Sequence, residues 1–437
     1  MSVLGYVDEV AAREITLDPD AAQGLMEAVI ARVNSEFGAA EILSPDAETE
    51  ARIRERIRAV TQAVLRREGY GGVNIREENA LVQRIEDQML GLGFLERLLP
   101  PARVNLSEIM INQDGRVWVL PRGAANPVPA DGVSPSVTEV RLVVDKILGA
   151  VSRRVSEAEP IVPAKLPRSA RLPAGARVNV VAPPVANGPY PIVNIRLYEE
   201  KPVSPDRLLG RQDWPAVLSE EMLEALAAAV RGHLRIMIAG GTATGKTTFL
   251  SAIANFIPKE ERVVLAEDPA EIFIDHPHVV SMEGRPPSIE GRYGVTMGDL
   301  VTTAMRQTPR WLVVGEVRTG QAAVWLLRAQ MSDHPGLSTI HADSPKAAVD
   351  TLCLLGQLDM GIRFEATKHL SCRAIDLFVR LGFDRWGLRR CLRITQVRDE
   401  LHHGDVYVDD IFCYDEQAST REAPVWRKVG DITRTRR

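Results

Sequence analysis

Apolar and polar positions along the chain follow different periods, and the changes of period divide it. From Asp18 to about Glu68 the sequence is rich in Ala, Glu and Arg, and AETEARIRERIRAVTQAVLRRE puts Ile53, Ile57, Val60 and Val64 on one helical face. This predicts an N-terminal helical extension, residues 1–76, read as a solvated helix pair whose apolar stripe serves packing or a partner. A second helical repeat starts near Glu77, where Leu81, Ile85, Met89 and Leu92 recur before Pro100-Pro101. Strand periods then take over. SEIMIN and RVWVL flank Asp114-Gly115, two residues that tolerate left-handed backbone angles, which predicts a β-hairpin. TEVRLVVDKILGAVSRR reads as a helix, and ARVNVVAP and PIVNIRLY read as strands around the turn-rich PPVANGPY. Residues 77–205 are therefore expected to form a small α+β domain.

The stretch from Glu199 to Pro215 has three prolines, many charges and no sustained period, which predicts an interdomain linker. Beyond it, in 206–437, helix SEEMLEALAAAVR is followed by LRIMIAG, KTTFLSAIANFI, RVVLAE, WLVVGE and LSTIHA. Strands alternating with helices predict an α/β domain, a parallel sheet covered on both faces.

Composition narrows the class. With 437 residues, 45% apolar and 25% charged, the chain has the mix of a globular protein of two or three domains. A formal net charge of -5 gives no basic excess to neutralise phosphates in bulk, so no nucleic-acid partner is expected. Cys353, Cys372, Cys391 and Cys413 include no C-x-x-C pair, against a zinc ribbon or dithiol site. MSVLGYVDEVAARE lacks a basic segment followed by an apolar one, and no apolar run approaches the length of a membrane span. The expectation is a cytoplasmic protein that touches a membrane only through a partner.

Gly240-Gly241-Thr242-Ala243-Thr244-Gly245-Lys246-Thr247 fits G-x-x-x-x-G-K-[ST] and follows an apolar strand and precedes a helix, as the motif requires. The glycines let backbone N–H groups turn toward phosphates, Lys246 reaches the β and γ oxygens, and the Thr247 hydroxyl binds Mg2+. Thr248, next in the helix, completes the expected ATP site. Acids stand where ligands of parallel sheets bind: Glu267 at the end of VVLAE, Glu271 shortly after it, and Glu316 after WLVVG. A strand of this kind normally ends in an acid that holds the metal or its water; here Gly315 takes that place, and Glu316 is the expected group for metal and attacking water. His341 closes the third cluster, Ser338-Thr339-Ile340-His341. Alone, such acids often cap helices and such a histidine is commonly a core residue.

In this order the clusters resemble the secretion ATPase superfamily of type II secretion, type IV pili and type IV secretion. EDPAEIFIDHPHVVSMEGRPPSIEGRYGVTMGDLVTTAMRQTPRWLVVGEVRTGQAA and LSTIHADSPKAAVDTL look most like the tight-adherence (Tad) pilus assembly ATPases, the CpaF group. ARLPAGARVN and the following PP-x-x-x-x-GP fit as well. The resemblance implies a RecA-like P-loop domain behind the α+β domain, and a homohexameric ring acting on inner-membrane platform proteins, peripheral to that membrane. It also implies that Arg177, Arg196, Arg285 and Arg306 close on the phosphates. Three departures stand out. Arg306-Gln307-Thr308-Pro309-Arg310 replaces the usual R-x-R-P-D, Asp333-His334-Pro335-Gly336 is a residue shorter than usual, and PAKLPRS looks inserted. Two other readings share parts of the pattern: a conjugation or type IV secretion ATPase, and a ring scaffold that binds ATP but hardly turns it over. A helicase is disfavoured by the acidic balance.

Overall fold

The computed structural model describes residues 18–37, 47–70, 72–99, 105–122, 124, 126–151, 153–167, 172, 174–198, 203–210, 214–285 and 294–436. Parts of the expected linker, of ARLPAGARVN and PAKLPRS, and of the run after Arg285 lie outside them. The chain divides into two compact units, Met1–Glu200 and Lys201–Arg437.

In the first unit, α1 (Pro19–Asn34), α2 (Ala47–Arg67) and α3 (Ile75–Met89) share one apolar core. Ile53, Ile57, Val60 and Val64, the stripe read from the sequence, are all buried. The core also takes Leu81, Ile85 and Met89, so α3 packs with the helices before it. Asn74 and Glu77 start α3 with reciprocal side-chain caps on orphan backbone N–H groups. Strands β1 (Leu106–Ile111), β2 (Val117–Pro121), β3 (Val128–Pro129), β4 (Ile161–Leu166), β5 (Ala176–Val181) and β6 (Ile192–Leu197) pair antiparallel in the order β3-β2-β1-β6-β5-β4. The β1–β2 turn uses Gly115 at φ 83. Helix α4 (Val137–Gly149) covers one face of this sheet, where Val178, Val180, Val193 and Ile195 are buried. Lys165 of the stretch that looked inserted lies on β4 opposite Arg177.

The second unit is built on a sheet ordered β15-β14-β13-β12-β7-β11-β10-β8-β9. Its elements are α5 (Glu220–Arg231), β7 (Ile236–Gly240), α6 (Lys246–Ala254), β8 (Val263–Glu267), β9 (Val279–Glu283), α7 (Met297–Ala304), β10 (Trp311–Val314), α8 (Gly320–Met331), β11 (Gly336–Ile340), α9 (Pro345–Met360) and α10 (Phe364–Ala374), then β12 (Leu377–Phe383), β13 (Arg389–His402), β14 (Asp405–Tyr414) and β15 (Trp426–Lys428). Strands β7 to β12 are mutually parallel where they pair. β7, β8, β10 and β11 are buried along their whole length, because helices cover both faces. Ile236, Ile238, Val263, Leu265, Trp311 and Val313 face α5 and α6; Met237, Ala239, Val264, Ala266, Leu312 and Val314 face α7 to α10. The chain then continues as an antiparallel meander, β12 to β15. Part of the expected linker is packed: Ser204 caps a 3-10 turn, Pro205–Leu209, and Val203 and Leu208 enter the core. Among the described residues no helix is long and apolar enough to cross a membrane.

Candidate functional site

Strand β7 ends at Gly240, and the chain turns through two left-handed residues, Ala243 at φ 60 and Gly245 at φ 89, into α6. Position 240 has no room for a side chain: a Cβ there would lie 2.6 Å from Thr244 Oγ1 and 2.8 Å from the Leu381 carbonyl oxygen. Thr244 Oγ1 donates to the Gly241 carbonyl at 2.9 Å and braces the turn. No side chain caps α6, so its first amides and its positive dipole end remain available inside the loop. Lys246 is 8% exposed and its Nζ donates to the carbonyls of Gly240 and Gly241, both at 2.9 Å. Burial lowers its pKa, and Glu316 partly offsets that. Thr242 lies exposed at the mouth of the loop, while Thr247 and Thr248 are half-buried in the first turn of the helix. A buried ammonium held by two loop carbonyls beside an uncapped helix start fits the phosphates of ATP, and the Thr247 hydroxyl in that first turn fits Mg2+.

The neighbouring strand ends deliver the other groups. Gly315 extends the β10 register, donating to the Ala266 carbonyl at 2.9 Å and accepting from Thr339 Oγ1 at 2.7 Å. A Cβ at 315 would sit 3.3 Å from Glu267 Cγ, so Glu267 crowds the position where an acid was looked for. Glu316 Oε2 accepts from Arg318 Nε at 2.6 Å, and its Oε1 lies 3.1 Å from His341 Nε2. The same His341 nitrogen is 3.5 Å from Lys246 Nζ. Burial, then Lys246, pull the His341 pKa below its ordinary value against the opposing pull of Glu316, which favours the neutral ring. A neutral ring can donate from Nε2 to Glu316 or accept there from Lys246, not both at once.

Glu267, 1% exposed, spends Oε1 on the N–H groups of Glu271 at 2.9 Å and Ile272 at 2.7 Å. Burial pushes its pKa up to about 7 despite those two bonds. Its carboxyl thus ties the chain after β8, and Glu271 follows half-buried. Within the second unit, Arg285 and Arg306 are not gathered at this loop. Arg285 follows β9, an edge strand separated from β7 by three others. Arg306 is exposed just past α7, and Arg310 lies at the entry of β10, where its Nε is 3.6 Å from Glu261; both precede the strand whose far end carries Glu316. Arg177 and Arg196, in the first unit, are directly paired on β5 and β6, and Arg196 Nε is 4.0 Å from Glu108. Two cations of the site had not been singled out from the sequence. Arg318 holds Glu316, and its place two residues further along the same turn was a usable sign. Arg389 Nε donates to the Ala243 carbonyl at 2.8 Å from 146 residues away, with no local sign.

Residues 88–373 match the family described as Type II/IV secretion system protein. A putative conjugal transfer protein of Mycobacterium tuberculosis is 30% identical over 323 residues, covering 72% of this chain and 86% of that protein. The conjugal transfer protein TrbB of Rhizobium radiobacter is 32% identical over 303 residues, covering 68% and 83%. The X-ray structure of the Legionella pneumophila ATPase DotB is 20% identical, covers 68% of this chain and 77% of that one, and aligns with a TM-score of 0.48.

Proposed function

Because this chain belongs to the family of type II/IV secretion system proteins, we propose that it is a motor of such a system, driven by hydrolysis of Mg-ATP at residues 240–248. The observation that supports this reading most is the run Lys246–His341–Glu316–Arg318, assembled by three strand ends around an uncapped helix start. In it the loop amides and Lys246 hold the phosphates, Thr247 and Glu316 hold Mg2+ or its water, and Glu316 orients the water that attacks. His341, placed between Lys246 and Glu316, links phosphate binding to the carboxylate. Mg2+, when bound, offsets charge on the phosphates.

Arg285 and Arg306 stand away from the loop of their own chain, which favours a homohexameric ring in which a neighbour's nucleotide takes them. The system proposed is tight-adherence pilus assembly, acting on an inner-membrane platform protein. The relatives named for conjugal transfer favour a second reading, a conjugation or type IV secretion motor, and identifying the membrane proteins that co-purify with the chain decides between them. The departures at Thr308 and Arg310 lie beyond the amino end of β10, on the same side as Arg306, and they are what would favour a third reading, a ring scaffold that binds ATP but hardly turns it over.

Steady-state phosphate release tests the reading. Glu316→Gln is expected to lower turnover about 10²-fold or more with binding retained, and Glu271→Gln to lower it far less. The reverse order would exchange the two carboxylates, and no Mg-dependent release by the unmodified chain would leave the scaffold. Light scattering with an Mg-ATP analogue is expected to give the mass of six copies.

A further inference from the structure

We propose that Arg389 is a positioning residue for the phosphate loop, its guanidinium holding Ala243 in the left-handed conformation that the loop needs to receive phosphates. The proposal rests on the reading of residues 240–248 as the nucleotide site. Ala243 is exposed and sits at φ 60, a region that a residue with a Cβ avoids unless its surroundings hold it there. Its carbonyl accepts a charge-assisted hydrogen bond from Arg389 Nε at 2.8 Å. The arginine stem also leans on the loop: a Cβ at Gly245, the loop's other left-handed residue, would lie 3.5 Å from Arg389 Cδ. Half-burial against the loop lowers the Arg389 pKa, but an arginine stays charged.

The anchor behind this arginine is rigid. Arg389 opens β13, and next to it Arg390 is buried and donates from Nε to buried Asp384 at 2.9 Å. The other Asp384 oxygen accepts the N–H groups of Trp386 at 2.9 Å and Leu388 at 2.8 Å, closing the turn between β12 and β13. A firm turn therefore presents the cation to the most exposed part of the loop. Without it, only the fraction of loops that happen to place Ala243 correctly can bind, and apparent affinity falls by that fraction.

Calorimetric titration of Mg-ADP into the full chain tests this. Arg389→Met keeps the stem and deletes the donor, and it should weaken binding about tenfold, the equivalent of about 1.4 kcal/mol. In an Ala243→Gly background the same replacement should cost less than about twofold, because glycine takes the left-handed conformation unaided. Wild-type affinity in Arg389→Met, or an equal loss in both backgrounds, overturns the proposal. Arg389→Lys, which keeps charge and stem but moves the donor, gives the same comparison if the methionine variant does not fold. Lys246→Ala, measured alongside, separates the two claims. Undiminished affinity in Lys246→Ala would remove the nucleotide site itself, whereas loss there without loss in Arg389→Met would remove only the clamp.

Discussion

At the amino edge of the parallel strands, Asp376 is wholly buried and accepts hydrogen bonds from Arg235 Nε at 2.9 Å, Arg434 Nη1 at 2.5 Å and Arg436 Nη2 at 2.8 Å. Nearby, Glu261 pairs with His233 at 2.7 Å and takes the Trp311 indole N–H at 2.6 Å. At the carboxyl edge of the same sheet, Lys246 has only loop carbonyls and a distant imidazole, and one oxygen of buried Glu267 has no hydrogen-bond partner. Strand ends of one sheet thus hold buried charge in two ways. At the amino edge Asp376 is met by three arginines, two of which, Arg434 and Arg436, fasten the C-terminal tail to the strand starts. At the carboxyl edge one oxygen of buried Glu267 is unpartnered and Lys246 lies beside an uncapped helix start, the pattern expected of a binding site.

Removing one charge at each edge sharpens this contrast. Asp376→Ala leaves Arg235 buried without its counter-ion, so the unfolding free energy should drop by roughly 3 to 5 kcal/mol in urea titrations, with Mg-ADP affinity of the folded chain unchanged. A stable variant that had lost nucleotide would break the division between edges. Glu267 should act through pH. Its folded pKa, about 7 against an ordinary 4.5, means the folded chain keeps a proton that the unfolded chain gives up. The stability of the neutral carboxyl is therefore complete below about pH 4.5 and fades as pH rises toward 7. Glu267→Gln cannot ionise, so its unfolding free energy should gain on the wild type across that window, by on the order of 3 kcal/mol in all, and then level off. A constant difference from pH 4 to 8 would show that burial does not hold this proton.

The open face of the N-terminal sheet offers the smallest effect. Arg177 and Arg196 are directly opposite on neighbouring strands, an arrangement that like charges disfavour. Arg196→Ala should therefore leave stability within about 0.5 kcal/mol of wild type, while an Mg-ATP analogue binds several-fold more weakly. Unchanged affinity would take this sheet out of nucleotide handling.

Much of the carboxyl edge was legible in the sequence because its chemistry sits at fixed short offsets. The loop lies between an apolar strand and a helix, Glu267 ends an apolar strand, and His341 and Glu316 come one and two residues after theirs. The helical stripe of Ile53, Ile57, Val60 and Val64 was legible for the same reason. The amino edge was not. Arg235 and Asp376 are 141 residues apart, and each reads alone as an ordinary surface charge. The strands β12 to β15 also escaped, since their alternation is broken by bulges at Arg380/Leu381, Ile394/Thr395 and Val397/Leu401. Part of the predicted linker proved to be packed because Val203 and Leu208, too few to show a period, find a core supplied by distant strands.

The central claim is the proposal that Lys246 and the loop amides at the carboxyl edge receive nucleotide phosphates, and Lys246 is the most exacting place to ask. Calorimetric titration of Mg-ATP into the full chain, wild type beside Lys246→Ala, addresses it directly. The account predicts an affinity loss of about 10²-fold or more with a melting midpoint near that of the wild type. Wild-type affinity in a folded Lys246→Ala would contradict it.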